Sequence, residues 1–249
     1  MLTQPLLDQL SILRLSAFRQ ALEEQLANPR YAELSFEERL GLLVDHECTH
    51  RDDRRLHRLL QAAHLPASAV PEDVDLSPTR GVARAQWLEL LQADWVRRHL
   101  NVILSGPTGV GKTYLAGALG YAVCRADLAV SYHRTSRLLR ALELAKADGS
   151  YGALLDRLAR TPLLVLDDWL RDPLSPAQTR DLLEIIDDRC GRASTLLATQ
   201  VPVPSWYERL ADPTLADALL DRLVHQAYQL TLKGDSRRKR PSPLTHADQ

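Results

Sequence analysis

The chain has 249 residues, 45% of them apolar and 25% charged, with 31 Lys and Arg set against 32 Asp and Glu for a formal net charge of −1. That balance suits one large globular domain, or a medium one with a small companion, and excludes a broadly cationic binder of nucleic acid; any such contact must come from a local patch. No apolar run approaches the length of a membrane span. The N-terminal MLTQPLLDQLSILRL lacks the basic lead-in of a secretion signal, and Cys48, Cys124 and Cys190 show no metal-ligand spacing, so a reducing, cytoplasmic setting is expected.

In chain order, residues 5–28 read as one helix, with Leu6, Leu10, Leu13, Ala17 and Ala21 recurring at three- and four-residue steps before Pro29. Ser35 with Glu38 three residues on forms a capping box, opening a helix that runs through HRDDRRLHRLLQAAHL to Pro66. The stretch 66–81, with three prolines and three acids, reads as a linker. It separates a helical domain, 1–65, from a second domain, 82–233. RAQWLELLQADWVRRHL reads as a single entry helix whose Trp87 and Trp95 serve either core packing or stacking on a base. From residue 100, short apolar runs (NVILS, LAVSYH, PLLVLD, STLLAT, QLTLK) alternate with amphipathic helices. Continuous apolar strands of this kind predict an α/β fold with a parallel sheet covered on both faces. The tail 234–249 is basic and contains proline, so it is expected to be flexible.

The stretch Gly106-Pro107-Thr108-Gly109-Val110-Gly111-Lys112-Thr113 fits the phosphate-loop pattern and lies where such a loop must, after an apolar strand and before a helix. Small residues let backbone N–H groups turn inward around a phosphate chain, and the helix N-terminus adds its positive end. Lys112 is expected to reach the β- and γ-phosphates of ATP, Thr113 to bind Mg²⁺, and Tyr114 to complete the nucleotide contacts. A carboxylate at the end of a buried strand is costly without a cation. Asp167, closing LLVLD, is therefore assigned to Mg²⁺ through water, and Asp168 to orienting or deprotonating the attacking water. Gln200, after STLLAT, either touches the γ-phosphate or is a solvated loop amide. Arg222, on ADALLDRLVH, either neutralises transition-state charge in a neighbouring subunit or pairs along its helix with Asp217 or Asp221. Arg51, Arg55 and Arg58 form a basic helical stripe with Arg54 alongside, which suits DNA backbone contact or a solvated face paired with Asp52 and Asp53.

LSFEERLGLLVDHE, GPTGVGKTYLAGALG, LLVLDDW and DPTLADALLDRLVHQAYQLTLKGDSRRK, with their spacing, resemble the IstB-like ATPases, AAA+ helpers of insertion-sequence transposition related to bacterial helicase loaders. The likeness runs from about residue 13 to residue 239. It implies ATP-dependent oligomers on duplex DNA that direct a transposase to its target, with a helicase loader as the alternative and a small-molecule kinase as a more distant one. It also implies that Gln200 is the sensor, Arg222 the trans-acting arginine finger and Arg238 a basic residue following the G-x-S of the tail. Most AAA+ proteins carry Glu where this chain has Asp168, which implies slow hydrolysis stimulated by DNA or a partner. The usual helical lid is absent from the pattern.

Overall fold

The structure, a computed structural model, describes residues 3–66, 69–225 and 227–236; Arg238 and the rest of 237–249 lie outside the described residues. The chain divides into two compact units, Met1–Arg58 and Leu59–Gln249.

The first unit holds α1 (Thr3–Ile12), α2 (Ser16–Ala27) and most of α3 (Phe36–Ala63). The single helix expected over 5–28 is thus broken. Arg14 takes a left-handed φ of 58°, and the Leu15 N–H reaches back five residues to the Leu10 carbonyl. The break lets α1 fold back on α2, burying Leu7, Leu10 and Ala17; one straight rod could not do this. Ser35 and Glu38 exchange the two hydrogen bonds of the capping box, at 2.8 and 3.2 Å, and so start α3 one residue later.

Glu47 of α3 is buried and caps the start of α2, accepting from the Ala17 and Phe18 N–H groups at 3.0 and 2.9 Å. Burial pushes its pKa upward, but the Phe18 N–H and the Arg51 guanidinium at 2.7 Å outweigh burial and hold it below the usual carboxylate value. Arg51 is therefore engaged by Glu47, and it also donates to the Arg14 carbonyl.

In the second unit α4 (Arg84–Leu91) and α5 (Asp94–Arg97) replace the one entry helix expected. Ala93, at φ 60°, turns the chain between them, and the Trp95 indole N–H donates to the Leu90 carbonyl at 2.9 Å. Trp87 and Trp95 are 1% and 3% exposed, which makes them core residues. Five parallel strands follow: β1 (Asn101–Ser105), β2 (Val130–Arg134), β3 (Leu163–Asp167), β4 (Ser194–Thr199) and β5 (Ala227–Thr231). Their order is β2-β3-β4-β1-β5.

The central strands β3 and β4 are buried at every position, including the polar Asp167 that ends β3 and Ser194, Thr195 and Thr199 of β4. Helices α7 (Thr135–Asp148), α8 (Tyr151–Arg160), α9 (Pro176–Arg189) and α10 (Pro213–Val224) share one apolar cluster with Ile103, Leu164, Leu166 and Leu197. Helix α6 (Lys112–Arg125) contributes nothing to that cluster and packs across β1 to β4. Alternate strand residues point to opposite faces, so the sheet is covered on both.

Helix α8 was not foreseen. Its C-terminal carbonyls are satisfied by Arg189, 1% exposed, which donates to the Leu158, Thr161 and Ser194 carbonyls and the Thr195 hydroxyl. Burial lowers the Arg189 pKa to about 10, still leaving it charged at neutral pH.

The segment 66–81 is not a free tether. A Cβ placed on Gly117 of α6 would lie 2.7 Å from the Ala69 side chain, and Arg125 of α6 pairs with Glu72 at 2.5 Å. Among the described residues, no helix is long and apolar enough to cross a membrane.

Candidate functional site

β4 lies between β1 and β3. The loop after β1 and the carboxylates after β3 therefore open on the same sheet end, with the residue following β4 between them. Parallel strands all deliver their C-terminal ends to one side, which is where open α/β sheets bind ligands.

The turn 106–111 leaves β1 and enters α6 with Gly111 as its N-cap, at φ 98° and ψ 21°. That left-handed conformation suits glycine and carries strain for any side chain. Lys112 Nζ reaches back across the loop to the Gly106 and Pro107 carbonyls, both at 2.8 Å, so its ammonium is held inside the turn. Gly109, at φ 87°, is closely approached: a Cβ there would sit 2.7 Å from Ser236 Cβ. The chain leaving β5 thus lies against the loop.

Thr113, in the first turn of α6, donates its hydroxyl to Asp167 Oδ2 at 2.8 Å. Asp167 is 2% exposed and also accepts the Asp168 N–H on Oδ1 at 3.0 Å. A hydroxyl and a carboxylate oxygen side by side are the hard donors Mg²⁺ takes when nucleotide phosphates and water fill its other positions. Among the described residues no group of three or more His, Cys, Asp or Glu could hold a metal by itself. The hydroxyl and carboxylate pair fits Mg²⁺ when phosphates and water complete its shell.

Tyr132 of β2 was not anticipated. Its hydroxyl donates to the same Asp167 Oδ2 at 2.6 Å. Burial first, then the carboxylate, raises the Tyr132 pKa and keeps it a donor. Only the pairing of β2 beside β3 brings the two together, and no local motif announces it. The Thr135 hydroxyl fixes the same corner, donating to the Asp167 carbonyl at 3.0 Å.

Asp168 takes a left-handed φ of 56°. Its carboxylate lies 3.6 Å from the Arg171 guanidinium, beside an open cavity of about 280 Å³ that Thr135 and Arg140 also line. Gln200 accepts the Thr108 hydroxyl through Oε1, which places the amide at the phosphate loop.

Arg222 is elsewhere. The Asn101 side chain, at the opposite end of β1, donates to the Arg222 carbonyl at 3.1 Å. Its guanidinium pairs with Asp187 of α9, in place of the intrahelical Asp217 or Asp221 pairing considered from sequence. Arg51, Arg54, Arg55 and Arg58 sit on α3 in the first unit, all exposed, with Arg51 committed to Glu47 as described.

The family model for IstB-like ATP binding proteins matches residues 8–244. An insertion-sequence ATP-binding protein of Sinorhizobium fredii is 45% identical over 239 residues, 96% of this chain and 98% of that one. Among solved structures, DnaI aligns with a TM-score of 0.60 at 20% identity, covering 73% of this chain and 100% of that one. The DnaC helicase loader aligns with 0.51 at 20% identity, covering 66% and 98%. The two structural likenesses, at this identity, show a shared fold, the parallel sheet with its flanking helices. A family match across nearly the whole chain, with a relative this similar from end to end, means that the chain belongs to the IstB-like ATP-binding proteins.

Proposed function

We propose that this chain is a cytoplasmic, ATP-driven helper of transposition that assembles on duplex DNA and presents the target to the transposase of its own mobile element. Lys112, Thr113 and the backbone N–H groups of 108–113 would hold the triphosphate. Asp167 and Thr113 would hold Mg²⁺, which when bound would supply charge neutralisation at the phosphates. Asp168 orients the attacking water and Gln200 senses the γ-phosphate.

The observation that carries an assembly reading is the position of Arg222. It lies beyond the start of β1, while the phosphate loop follows the other end, a full strand or roughly 16 Å away. It is thus out of reach of its own nucleotide and suited to a neighbour's, where an arginine neutralises transition-state charge. In the single chain Asp187 holds the guanidinium; a neighbour's γ-phosphate would have to displace that carboxylate.

Arg222→Ala should bind ATP within about threefold of the parent, since the side chain lies out of reach of its own nucleotide. It should fail to form ATP-dependent oligomers on duplex DNA, read by sedimentation, and should lose roughly 100-fold or more in DNA-stimulated turnover. Wild-type assembly by this variant would sink the bridge. Capture of a replicative helicase in place of the transposase would favour a loader.

Arg54 and Arg58 carry the proposed DNA contact. The double alanine variant should weaken binding equally across duplex sequences and reduce the salt dependence of log K by about two, one for each phosphate no longer neutralised. An unchanged slope in a filter-binding series over salt would remove α3 from the DNA interface.

A further inference from the structure

The segment 66–81 brings a charge against the phosphate loop. Arg80 is 6% exposed. Its guanidinium donates to the Val110 carbonyl, and a Cβ on Gly111 would lie 3.0 Å from its Nη2. Its own backbone is tied down on both sides: the Arg80 N–H donates to the Ser77 carbonyl at 2.9 Å, and the Arg80 carbonyl accepts the Lys233 N–H at 2.9 Å, at the end of β5. Among the described residues it has no carboxylate partner, and burial alone lowers its pKa. Burying a cation that does not form an ion pair costs free energy, which asks for a compensating role.

The planarity of the peptide unit supplies one. In a trans peptide the carbonyl of one residue and the N–H of the next point in opposite directions, and the described chain has no cis bonds. Holding the Val110 carbonyl toward Arg80 therefore turns the Gly111 N–H the other way, away from the linker and into the loop. A charged donor on a carbonyl also polarises the peptide, so the same unit becomes a stronger donor at its N–H end.

We propose that Arg80 is a positioning residue for nucleotide binding: by clamping the Val110 carbonyl it aims and strengthens the Gly111 N–H toward the phosphates. The inference rests on the loop's binding ATP, which Lys112→Ala tests separately.

The experiment compares Arg80→Gln and Arg80→Lys in the full chain. It measures Mg·ATP affinity by calorimetry, the movement of the Gly111 amide resonance on adding Mg·ATP, and the melting temperature without nucleotide. Glutamine keeps a neutral donor and should weaken binding about tenfold or more, with a reduced Gly111 shift. Lysine keeps the charge but not the planar fork, and should lose about threefold. Wild-type affinity in a folded Gln variant overturns the proposal, and so does weakened binding with a Gly111 shift of wild-type size, which marks a scaffolding role alone. Should the Gln variant fail to fold, the Lys variant decides: wild-type affinity there, or weakened binding with a wild-type Gly111 shift, overturns the proposal. If Lys112→Ala loses ATP while Arg80→Gln does not, this proposal fails and the nucleotide reading stands; if Lys112→Ala keeps ATP, the nucleotide reading itself fails.

Discussion

Lys112→Ala is expected to weaken Mg·ATP binding by roughly 100-fold or more, the usual cost of truncating one partner of a close charged pair. The nucleotide-free protein should melt within a few degrees of the parent. The reason lies in what the ammonium touches: two carbonyls of its own loop, at 2.8 Å each. Of these two bonds, the one to Pro107 is exposed and the one to Gly106 part-buried, so water can take over much of that bonding and little folding free energy is lost. A phosphate chain in the turn has no such substitute, because Arg80, the other cation set against this loop, is engaged by the Val110 carbonyl. Titration with a fluorescent ATP analogue, alongside a thermal melt, separates the two effects. Unchanged affinity would mean that the turn is not a triphosphate nest.

Asp167→Asn has a different signature. The carboxylate accepts from the Thr113 hydroxyl, the Tyr132 hydroxyl and the Asp168 N–H. An amide offers one acceptor oxygen and one NH₂, so one of these donors must face another donor or turn away. In a site this buried that should cost about 1–3 kcal/mol of stability. The larger effect is on the metal. ATP affinity should become nearly independent of Mg²⁺, and hydrolysis should fall roughly 100-fold or more, because charge stabilisation in phosphoryl transfer depends on the metal. Affinities measured with Mg²⁺ and with a chelator, in variant and parent, make the comparison. If the variant kept a parent-like Mg²⁺ response, Asp167 would not be the metal anchor.

What could be read in the sequence was what is local. GPTGVGKT is contiguous and its flanking strand and helix are contiguous with it, so the turn could be placed from eight residues and their neighbours. LLVLD announces a buried strand ending in a carboxylate. The two helix breaks escaped because Arg14 and Ala93 take left-handed backbone without being glycine, and such turns leave no mark in composition. Tyr132 and Arg80 escaped for another reason. Each acts on a residue more than 25 positions away, and each meaning appears only when strand order and the path of 66–81 are known. The stripe offers Arg51 either to DNA or to Asp52 and Asp53, yet four residues upstream Glu47 is the acid that takes it. The helical period shows that the two are neighbours, but not that Glu47 is itself occupied in capping another helix.

The end of β4 ties two loops into one body. The Trp169 N–H bonds to the Ala198 carbonyl and the Thr199 hydroxyl to the Trp169 carbonyl, while the next residue, Gln200, touches the phosphate loop. Whoever builds chimaeras between relatives of this chain must therefore transplant the segments after β3 and β4 as a pair. Swapping one alone would splice a foreign hinge into a joint whose other half was shaped for its original mate.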